Sequence, residues 1–252
     1  MQKLTKIFKE WKVYFLLLGL ILITALFLRI INLTILPVFA DEAIYIRWSQ
    51  VMASVTELRF LPLQDGKQPL FMWILMFVVR RMGDPLFAGR IVSVFAGLGT
   101  TFGIFCLSYL FFKSKKSAIA ASVFWALSPF SVFFDRMALV DSLLAFFGVW
   151  TLTLLTLAFK TKRYDLSLLA GFSLGFALLT KSPAIFFILL TPVVWFISDF
   201  PKDFSQKLLH LAKLLFLSAI SWTVGYGMYN ILRLGPDFNQ LSSRNQDYIF
   251  PI

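Results

Sequence analysis

Residues 13–35 read VYFLLLGLILITALFLRIINLTI, an apolar run in which Arg29 is the single charged residue. A helix that crosses a bilayer needs about 20 predominantly apolar residues, and this run exceeds that length. Inside lipid, a helix satisfies its backbone hydrogen bonds within its own segment. The run therefore predicts a membrane-spanning helix. Because no small-residue cleavage site follows it, we interpret it as an uncleaved signal anchor.

The rest of the chain has the same character. Its 252 residues are 59% hydrophobic and include 30 Phe, and the mean hydropathy is +0.79. Soluble domains are only roughly half apolar, and no period of two marks barrel strands. We predict an all-α fold, a polytopic transmembrane helical bundle forming a single domain over residues 1–252. The seven predicted spans are 13–35, 86–112, 117–134, 142–159, 164–180, 184–198 and 213–232.

The net charge of +11 is concentrated in short loops between these spans, which argues against a nucleic-acid partner. Basic residues mark the N-terminal tail and the loops at 113–116, 160–163 and 202–213, whereas the opposite short loops carry only Arg136 and Lys181. Loops rich in Lys and Arg stay on the cytoplasmic side. We expect a multi-pass protein of the cytoplasmic membrane with a cytoplasmic N-terminus. Cys106 and His210 are the single Cys and His, so a Cys/His zinc site is excluded.

The long loop 37–84 is predicted to face the exterior. Residues 41–55 have helical periodicity, with an apolar face formed by Ile44, Trp48, Val51, Met52 and Val55. Residues 69–82 are apolar but too short to span, so we interpret them as an interfacial or re-entrant helix. Asp41 has two interpretations, the N-cap of the first helix or a carboxylate that acts on a substrate.

Polar residues also lie at the ends of later predicted spans. Ser128-Pro129 falls inside the third predicted span, where proline bends a helix. Asp141 begins the fourth as either an N-cap or a functional acid. Lys181 joins two short apolar segments, where it either snorkels toward the membrane surface or has a function. These positions lie on the same predicted exterior side as the long loop.

Five blocks occur in a fixed order along the chain: FADEAIYIRWSQ (39–50), DGKQPLFMW (65–73), AGRIVSVFAGL (88–98), LSPFSVFFDRMALVDSLLAFF (127–147) and AGFSLGFALLTKSPAIF (170–186). Together they resemble the GT-C glycosyltransferases of the protein-O-mannosyltransferase and aminoarabinose-transferase type. Members of this group take a sugar from a polyprenyl-phosphate carrier and transfer it to an acceptor outside the cytoplasmic membrane. The resemblance covers roughly residues 25–195. It implies membrane lipids, a lipid-linked sugar and an acceptor (protein, lipid or glycan) as partners.

The resemblance also implies roles for individual residues. Asp41 corresponds to the catalytic acid of the first exterior loop, Glu42 and Tyr45 belong to the same block, and Asp141 corresponds to a functionally important acid. Lys67 corresponds to the lysine that meets the donor phosphate. Lys181 matches a lysine on the donor side of the cavity, and Arg136 is a further candidate for the phosphate. The catalytic set is thus Asp41, Glu42 and Asp141, the phosphate-binding set Lys67, Arg136 and Lys181, and the substrate-pocket residue Tyr45.

Two positions depart from the family pattern. The usual lysine-proline-proline motif reads Lys67-Gln68-Pro69, and Gly66 replaces a metal-binding acid of the aminoarabinose enzymes. No cofactor is demanded by these residues, and a divalent cation stays open. Members of the group are longer, so we expect this chain to be the N-terminal part of a larger protein. The alternatives are a lipid or solute transporter, which internal repeats would favour, and a non-catalytic membrane relative.

Overall fold

The computed structural model describes residues 2–198, 200–201, 203–241 and 243. All regular elements in these ranges are helical, which confirms the all-α prediction. The α-helices are α1 (Gln2–Ile30), α2 (Ala40–Ser54), α3 (Leu70–Val79), α4 (Pro85–Phe112), α5 (Lys115–Leu127), α6 (Pro129–Asp135), α7 (Val140–Thr161), α8 (Tyr164–Thr180), α9 (Ile185–Leu189), α10 (Thr191–Trp195) and α11 (Phe204–Tyr229). Short 3-10 helices cover Thr56–Leu58, Leu61–Asp65, Ser182–Ala184 and Asn230–Leu234. Lys202 and the residues after 243, which the sequence assigned to opposite sides of the membrane, lie outside the described ranges.

The predicted count of seven spans is not confirmed. Four helices are long and apolar enough to cross a membrane, namely Trp11–Ile30, Pro85–Phe112, Val140–Thr161 and Phe204–Leu234. The pair α5 and α6 makes a fifth if its two parts, bent by 59°, count as one span. The predicted span 184–198 is not one helix. Pro183 and Pro192 each begin a new helical piece, because proline lacks the N–H that a continuous helix would need.

α4 and α7 run side by side in the same direction through the middle of the bundle. Gly99 of α4 packs on Phe146 of α7, and one turn later Gly103 packs on Val149. We call the end where α4 and α7 begin the upper end of the bundle and the opposite end the lower end. α1 and α5 pack on the other side of α4.

α8 returns from the lower to the upper end and packs between α7 and α11. The broken segment 182–198 then descends along α11, because Trp195 Nε1 donates to Ser218 Oγ at 3.0 Å and Ser198 Oγ lies 3.0 Å from His210 Nε2. α11 therefore begins at the lower end and finishes at the upper end. α8 and this segment cover the bundle with pieces shorter than a standard span.

A buried ion pair ties α1 to the bend between α5 and α6. Arg29 Nε donates to Asp135 Oδ2 at 2.9 Å, and its other nitrogens reach Ala126 O and Ser131 Oγ. Arg29 is fully buried, so it neither snorkels nor faces an open cavity. A side chain at Gly97 of α4 would overlap the Asp135 carboxylate, so glycine makes room for the pair. The bend predicted at Pro129 is confirmed.

α2 and α3 cover the upper end of α4. α2 has nearly the predicted extent, but its buried face is formed by Glu42, Tyr45, Ile46, Ser49, Met52 and Ala53. The predicted apolar face is therefore wrong in part, since Ile44 and Val55 are exposed. The reason is Glu42, which pairs inside the protein with Arg90 of α4 and so sets the rotation of the helix. α3 is short, as predicted, and largely buried.

Candidate functional site

A polar cavity of about 310 Å³ lies at the upper end of the bundle. Its wall includes Asp41, Tyr45, Lys67, Gln68, Lys181 and Ser182. The residues come from α2, from the loop before α3 and from the junction between α8 and the segment 182–198. These three parts of the chain are distant in sequence, so the cavity is built by tertiary packing.

Lys67 is held on the cavity wall by a tight turn. Gly66 adopts a left-handed conformation (φ 59°) that ends the 3-10 helix Leu61–Asp65 and turns the chain toward α2. Lys67 Nζ lies 3.0 Å from Asp41 Oδ1 and 3.2 Å from Asp65 Oδ2. The same ammonium lies over the aromatic rings of Tyr45, at 5.0 Å, and Trp48, at 5.5 Å. Carboxylates and aromatic faces both attract a cation, so Lys67 is well fixed here.

Asp41 is not the cap of α2. The N-cap position is Phe39, and its backbone N–H donates to the side chain of Glu42 at 3.0 Å. Asp41 instead projects to the cavity with 42% of its side chain exposed and contacts Lys67. The capping interpretation therefore fails, because Phe39 is the N-cap residue and Asp41 lies inside the first turn of the helix.

Glu42 lies in a different environment from Asp41. It is fully buried, and its two carboxylate oxygens accept from Arg90 Nε and Nη2 at 2.9 and 2.8 Å. It also accepts from the backbone N–H of Ala138 at 2.6 Å. Burial alone would raise the pKa of Glu42, but the hydrogen bonds from Arg90, Ala138 and Phe39 together outweigh it and lower this pKa. Glu42 does not line the cavity, in contrast to the catalytic placement that the resemblance implied.

Lys181 of the cavity wall belongs to a second lysine–carboxylate pair. Lys181 follows the last residue of α8, and its Nζ lies 2.8 Å from Asp141 Oδ1 in the first turn of α7. The N-cap of α7 is Leu139, so Asp141 is not the cap that one interpretation made it. Each side chain is about two-fifths exposed, at 41% and 39%. The pair is therefore accessible, unlike the buried pair of Glu42 and Arg90.

Arg136 lies away from this site. Its guanidinium donates to the carbonyl oxygens of Leu28 at 2.8 Å and Asn32 at 2.9 Å, at the C-terminal end of α1. It is absent from the wall of the polar cavity. The structure thus places Asp41, Tyr45, Lys67 and Lys181 from the predicted set on the cavity wall, pairs Asp141 with Lys181, and leaves Glu42 and Arg136 away from the wall.

Sequence reasoning missed Gln68 and Ser182 as site residues. Gln68 Nε2 donates to Ser182 Oγ at 2.7 Å. Gln68 follows Lys67 and Ser182 follows Lys181, so this hydrogen bond joins the two segments that carry the lysines. Gln68 and Ser182 also border a second cavity of about 350 Å³, whose wall is mainly apolar and includes Leu178, Ile188 and Tyr229. In the sequence, only their positions directly after Lys67 and Lys181 indicated that they could belong to the site.

No group of three or more His, Cys, Asp or Glu side chains within the described ranges is placed to hold a metal ion. Two carboxylates, those of Asp41 and Asp65, contact Lys67. Asp65 was not singled out from the sequence. It directly precedes Gly66, the position at which the aminoarabinose enzymes have a metal-binding acid.

The fold and the site define a helical, multi-pass membrane protein with a charged cavity at one end of its bundle. The family model for dolichyl-phosphate-mannose-protein mannosyltransferases matches residues 66–225, so the chain belongs to this family. This confirms the GT-C resemblance. Membership supports, at the level of the family, glycosyltransferase activity with a polyprenyl-phosphate-linked sugar as donor. The match includes Lys67, Asp141 and Lys181 and begins after Asp41. No curated protein matches the chain.

Proposed function

We propose that this protein transfers a sugar from a polyprenyl-phosphate carrier to an acceptor on the exterior face of the cytoplasmic membrane. The observation that carries the proposal is the pair of lysines on one cavity, each held by an acid. A donor with a phosphate and an apolar chain suits a polar cavity that shares a wall with an apolar one. Family membership supports the donor class.

The donor phosphate is proposed to bind between Lys67 and Lys181. Before the donor arrives, Asp41 and Asp141 hold the two ammonium groups in place. A phosphate attracts lysine at least as strongly as one carboxylate does, and charge-assisted contacts of this kind stabilise the negative charge on a leaving phosphate. The apolar cavity beyond Gln68 and Ser182 would hold the first part of the lipid chain.

Asp41 is proposed to act as the general base. When Lys67 turns to the phosphate, the Asp41 carboxylate becomes available to the hydroxyl of the acceptor. The hydroxyl oxygen attacks the anomeric carbon, the bond from that carbon to the phosphate oxygen breaks, and Asp41 takes the proton. The lipid phosphate leaves with the electron pair, and the configuration at the anomeric carbon is inverted. Tyr45 forms the wall of the sugar pocket beside Asp41.

The remaining predicted residues receive supporting roles in this proposal. Asp141 positions Lys181 through their ion pair. Glu42 positions α2 through its buried pair with Arg90, and Arg136 secures the end of α1. A divalent cation bound at this site would be held by Asp41 and Asp65, the two acids that meet at Lys67.

The decisive variant is Asp41→Asn, which keeps the side-chain shape but cannot take a proton. We expect sugar transfer from a polyprenyl-phosphate donor in detergent to fall by about 10²–10⁴-fold, with donor binding retained. Glu57→Gln is the matched control, because Glu57 is an exposed acid that accepts a hydrogen bond from its neighbour Thr56 and lies outside the cavity. Near-normal turnover by Asp41→Asn would rule out a general base at this position.

Lys67→Ala separates donor binding from proton transfer. It removes a cation from the phosphate, so we expect a higher KM for the donor and weaker donor binding than in Asp41→Asn. If Lys67→Ala bound the donor as tightly as the unchanged protein, the phosphate would have to lie elsewhere. Both variants are read in the same assay, so the two roles are tested independently.

A further inference from the structure

A further cavity, of about 510 Å³, lies on the outer side of α3. Its wall consists of Arg59, Trp73, Met76, Phe77 and Arg80, and we call it the α3 pocket. The last four of these residues belong to α3 or to its C-cap position. Successive residues of a helix point about 100° apart, so these four positions lie within about 100° of one another. The α3 pocket therefore covers one face of this helix.

The α3 pocket is separate from the proposed catalytic site. Phe71 lies on the opposite face of α3, where it is fully buried and its ring centroid lies 6.2 Å from that of Tyr45. Tyr45 belongs to the wall of the polar cavity, and the two cavities share no wall residue. The body of α3 thus lies between them.

Arg59 is held against α3 by its neighbours. Trp73 Nε1 donates to the carbonyl oxygen of Arg59 at 2.7 Å, and the ring of Phe60 packs edge to face on Trp73 with centroids 5.6 Å apart. The guanidinium of Arg59 donates through Nη1 to the sulfur of Met76. A thioether is a weak acceptor, and a guanidinium has five N–H donors. Donors of Arg59 therefore remain available to a ligand with stronger acceptors.

Arg80 adds a second guanidinium to the wall, at an exposed position. Among the described residues, neither Arg59 nor Arg80 takes part in a salt bridge. Exposed Glu57 is the acid that interacts with Arg59. Hydrogen bonds from its own backbone N–H and from Thr56 lower the pKa of Glu57, and the charge of Arg59 adds a smaller effect. Glu57 does not line the α3 pocket, whose wall has two cationic side chains and no acid.

The α3 pocket lies at the level of the membrane surface. α3 is apolar, but its ten residues extend only about 15 Å at 1.5 Å per residue, which is too short to cross a membrane. Lys67 precedes α3 and lines the polar cavity, and Pro85 begins α4, so both ends of α3 lie at the upper end of the bundle. Exposed apolar side chains on and beside the pocket are Phe77, Met82 and Val55. An apolar surface bordered by arginines at this level fits the boundary between head groups and acyl chains.

We propose that the α3 pocket binds an anionic phospholipid of the leaflet that surrounds the upper end of the bundle. The guanidinium groups of Arg59 and Arg80 contact the phosphate, since the planar donor set of arginine matches phosphate oxygens. An acyl chain lies along Trp73 and Phe77. A free phosphate ion would use the arginines alone, whereas the aromatic floor fits a ligand with an apolar chain. This inference does not depend on the proposed reaction.

The test is the thermal stability of the purified full chain in mixed micelles. We expect added phosphatidylglycerol to raise the midpoint of unfolding, and phosphatidylcholine or inorganic phosphate at the same concentration to leave it unchanged. Equal effects of phosphatidylglycerol and phosphatidylcholine would remove the role of the charge. An equal effect of inorganic phosphate would show an anion site without lipid specificity and would also overturn the proposal.

Matched variants locate the effect. Arg59→Gln combined with Arg80→Gln should weaken the apparent affinity for phosphatidylglycerol about 30-fold, from roughly fivefold for each basic residue near an anionic membrane surface. The control is Arg47→Gln combined with Arg81→Gln, which removes the same charge from the same end of the bundle. Arg47 and Arg81 are exposed and lie outside the α3 pocket. Equal losses in the two double variants would show a general basic surface instead of a site.

A measurement on the unchanged protein covers the case in which the pocket variant does not fold. A photoreactive phosphatidylglycerol should label the peptide that contains Trp73 and Phe77 in preference to the lipid-facing peptides of α1 and α11. An excess of unlabelled phosphatidylglycerol should suppress this labelling, and the same excess of phosphatidylcholine should not. Labelling spread evenly over the apolar surface, or suppressed equally by both lipids, would overturn the proposal.

Discussion

Asp41 and Glu42 are adjacent acids with opposite surroundings. Successive residues of a helix point about 100° apart, so Asp41 points to the cavity while Glu42 points into the protein. Asp41 is accessible and contacts a lysine that a ligand can reach, whereas Glu42 is enclosed by Arg90 and two backbone N–H groups. The first can exchange its partner during a reaction, and the second cannot without breaking the packing of α2.

This difference predicts that Glu42→Gln destabilises the protein far more than Asp41→Asn. Removing one partner of a buried ion pair leaves the other charge uncompensated, which typically costs about 3–5 kcal/mol. Thermal unfolding of both variants in the same detergent measures the difference. Asp41→Asn is the control, because it changes the adjacent residue in the same way at a partly exposed position. Similar unfolding midpoints for the two variants would contradict the assignment of Glu42 to the folded framework.

Glu42 also makes the stability of the protein depend on pH. Because the pKa of Glu42 is lowered on folding, the unfolded chain binds this proton more tightly than the native state does. Ionised Glu42 therefore stabilises the protein at neutral pH. That contribution declines as the pH falls below the ordinary pKa of glutamate and is lost below the folded-state value. Glu42→Gln should show a smaller loss of stability than the unchanged protein between neutral and acidic pH.

At the scale of elements, the hydrogen bond between Gln68 and Ser182 joins the loop before α3 to the segment after α8. Each residue follows a lysine of the cavity, so the bond fixes the distance between Lys67 and Lys181. Gln68→Ala and Ser182→Ala should each raise the KM for the donor several-fold with a smaller effect on kcat. Since both remove the same bond, the double variant should be no worse than the more affected single variant.

Ser182→Thr provides the control for this pair, because it retains the hydroxyl that accepts from Gln68. It should keep a KM close to that of the unchanged protein. Fully additive effects of the two alanine substitutions would show that the residues act separately. The donor KM is informative here because general destabilisation would lower the amount of active protein without changing KM.

Helix positions were largely predictable from apolar runs, because length and composition decide whether a segment is helical in a membrane. The bend at Pro129 was also predictable, because the effect of proline on a helix is local. The rotation of α2 was not predictable, because it depends on the pairing of Glu42 with Arg90, which lies 48 residues further along the chain. The predicted span 184–198 is not confirmed, because the chain there is divided into short helical pieces, one of which has Pro192 in its first turn.

Four residues that the structure groups at or beside the cavity were named from the sequence, but their pairing was not. Asp41, Lys67, Asp141 and Lys181 were identified from sequence blocks, whereas the pairing of Lys67 with Asp41 and of Lys181 with Asp141 depends on tertiary packing. The acids looked like helix caps because capping is a local rule. In the structure Phe39 and Leu139 occupy the cap positions, so that rule does not apply to either acid.

At the scale of the whole molecule, the proposed catalytic cavity lies at the upper end of the bundle, and the loops richest in lysine lie at the lower end. Positive loops at the lower end predict that this end is cytoplasmic. In a Cys106→Ser background, Gly83→Cys near the upper end should react with a membrane-impermeant maleimide in intact cells. Gly83 is exposed with open space around it, so the new side chain fits. Lys113→Cys, at the lower end of α4, should react only after the cells are permeabilised, and the reverse pattern would invert the orientation.

The buried pair of Arg29 and Asp135 has a consequence for biosynthesis. The two residues are 106 positions apart, so at 5–20 residues per second the arginine leaves the ribosome roughly 5–20 s before its partner does. During that interval the first helix carries an uncompensated charge that disfavours the lipid interior. The buried position of the Arg29 side chain forms only when α6, which contributes Asp135 and Ser131, has been synthesised. Stable release of the first helix into the bilayer is therefore coupled to the synthesis of residues more than a hundred positions downstream.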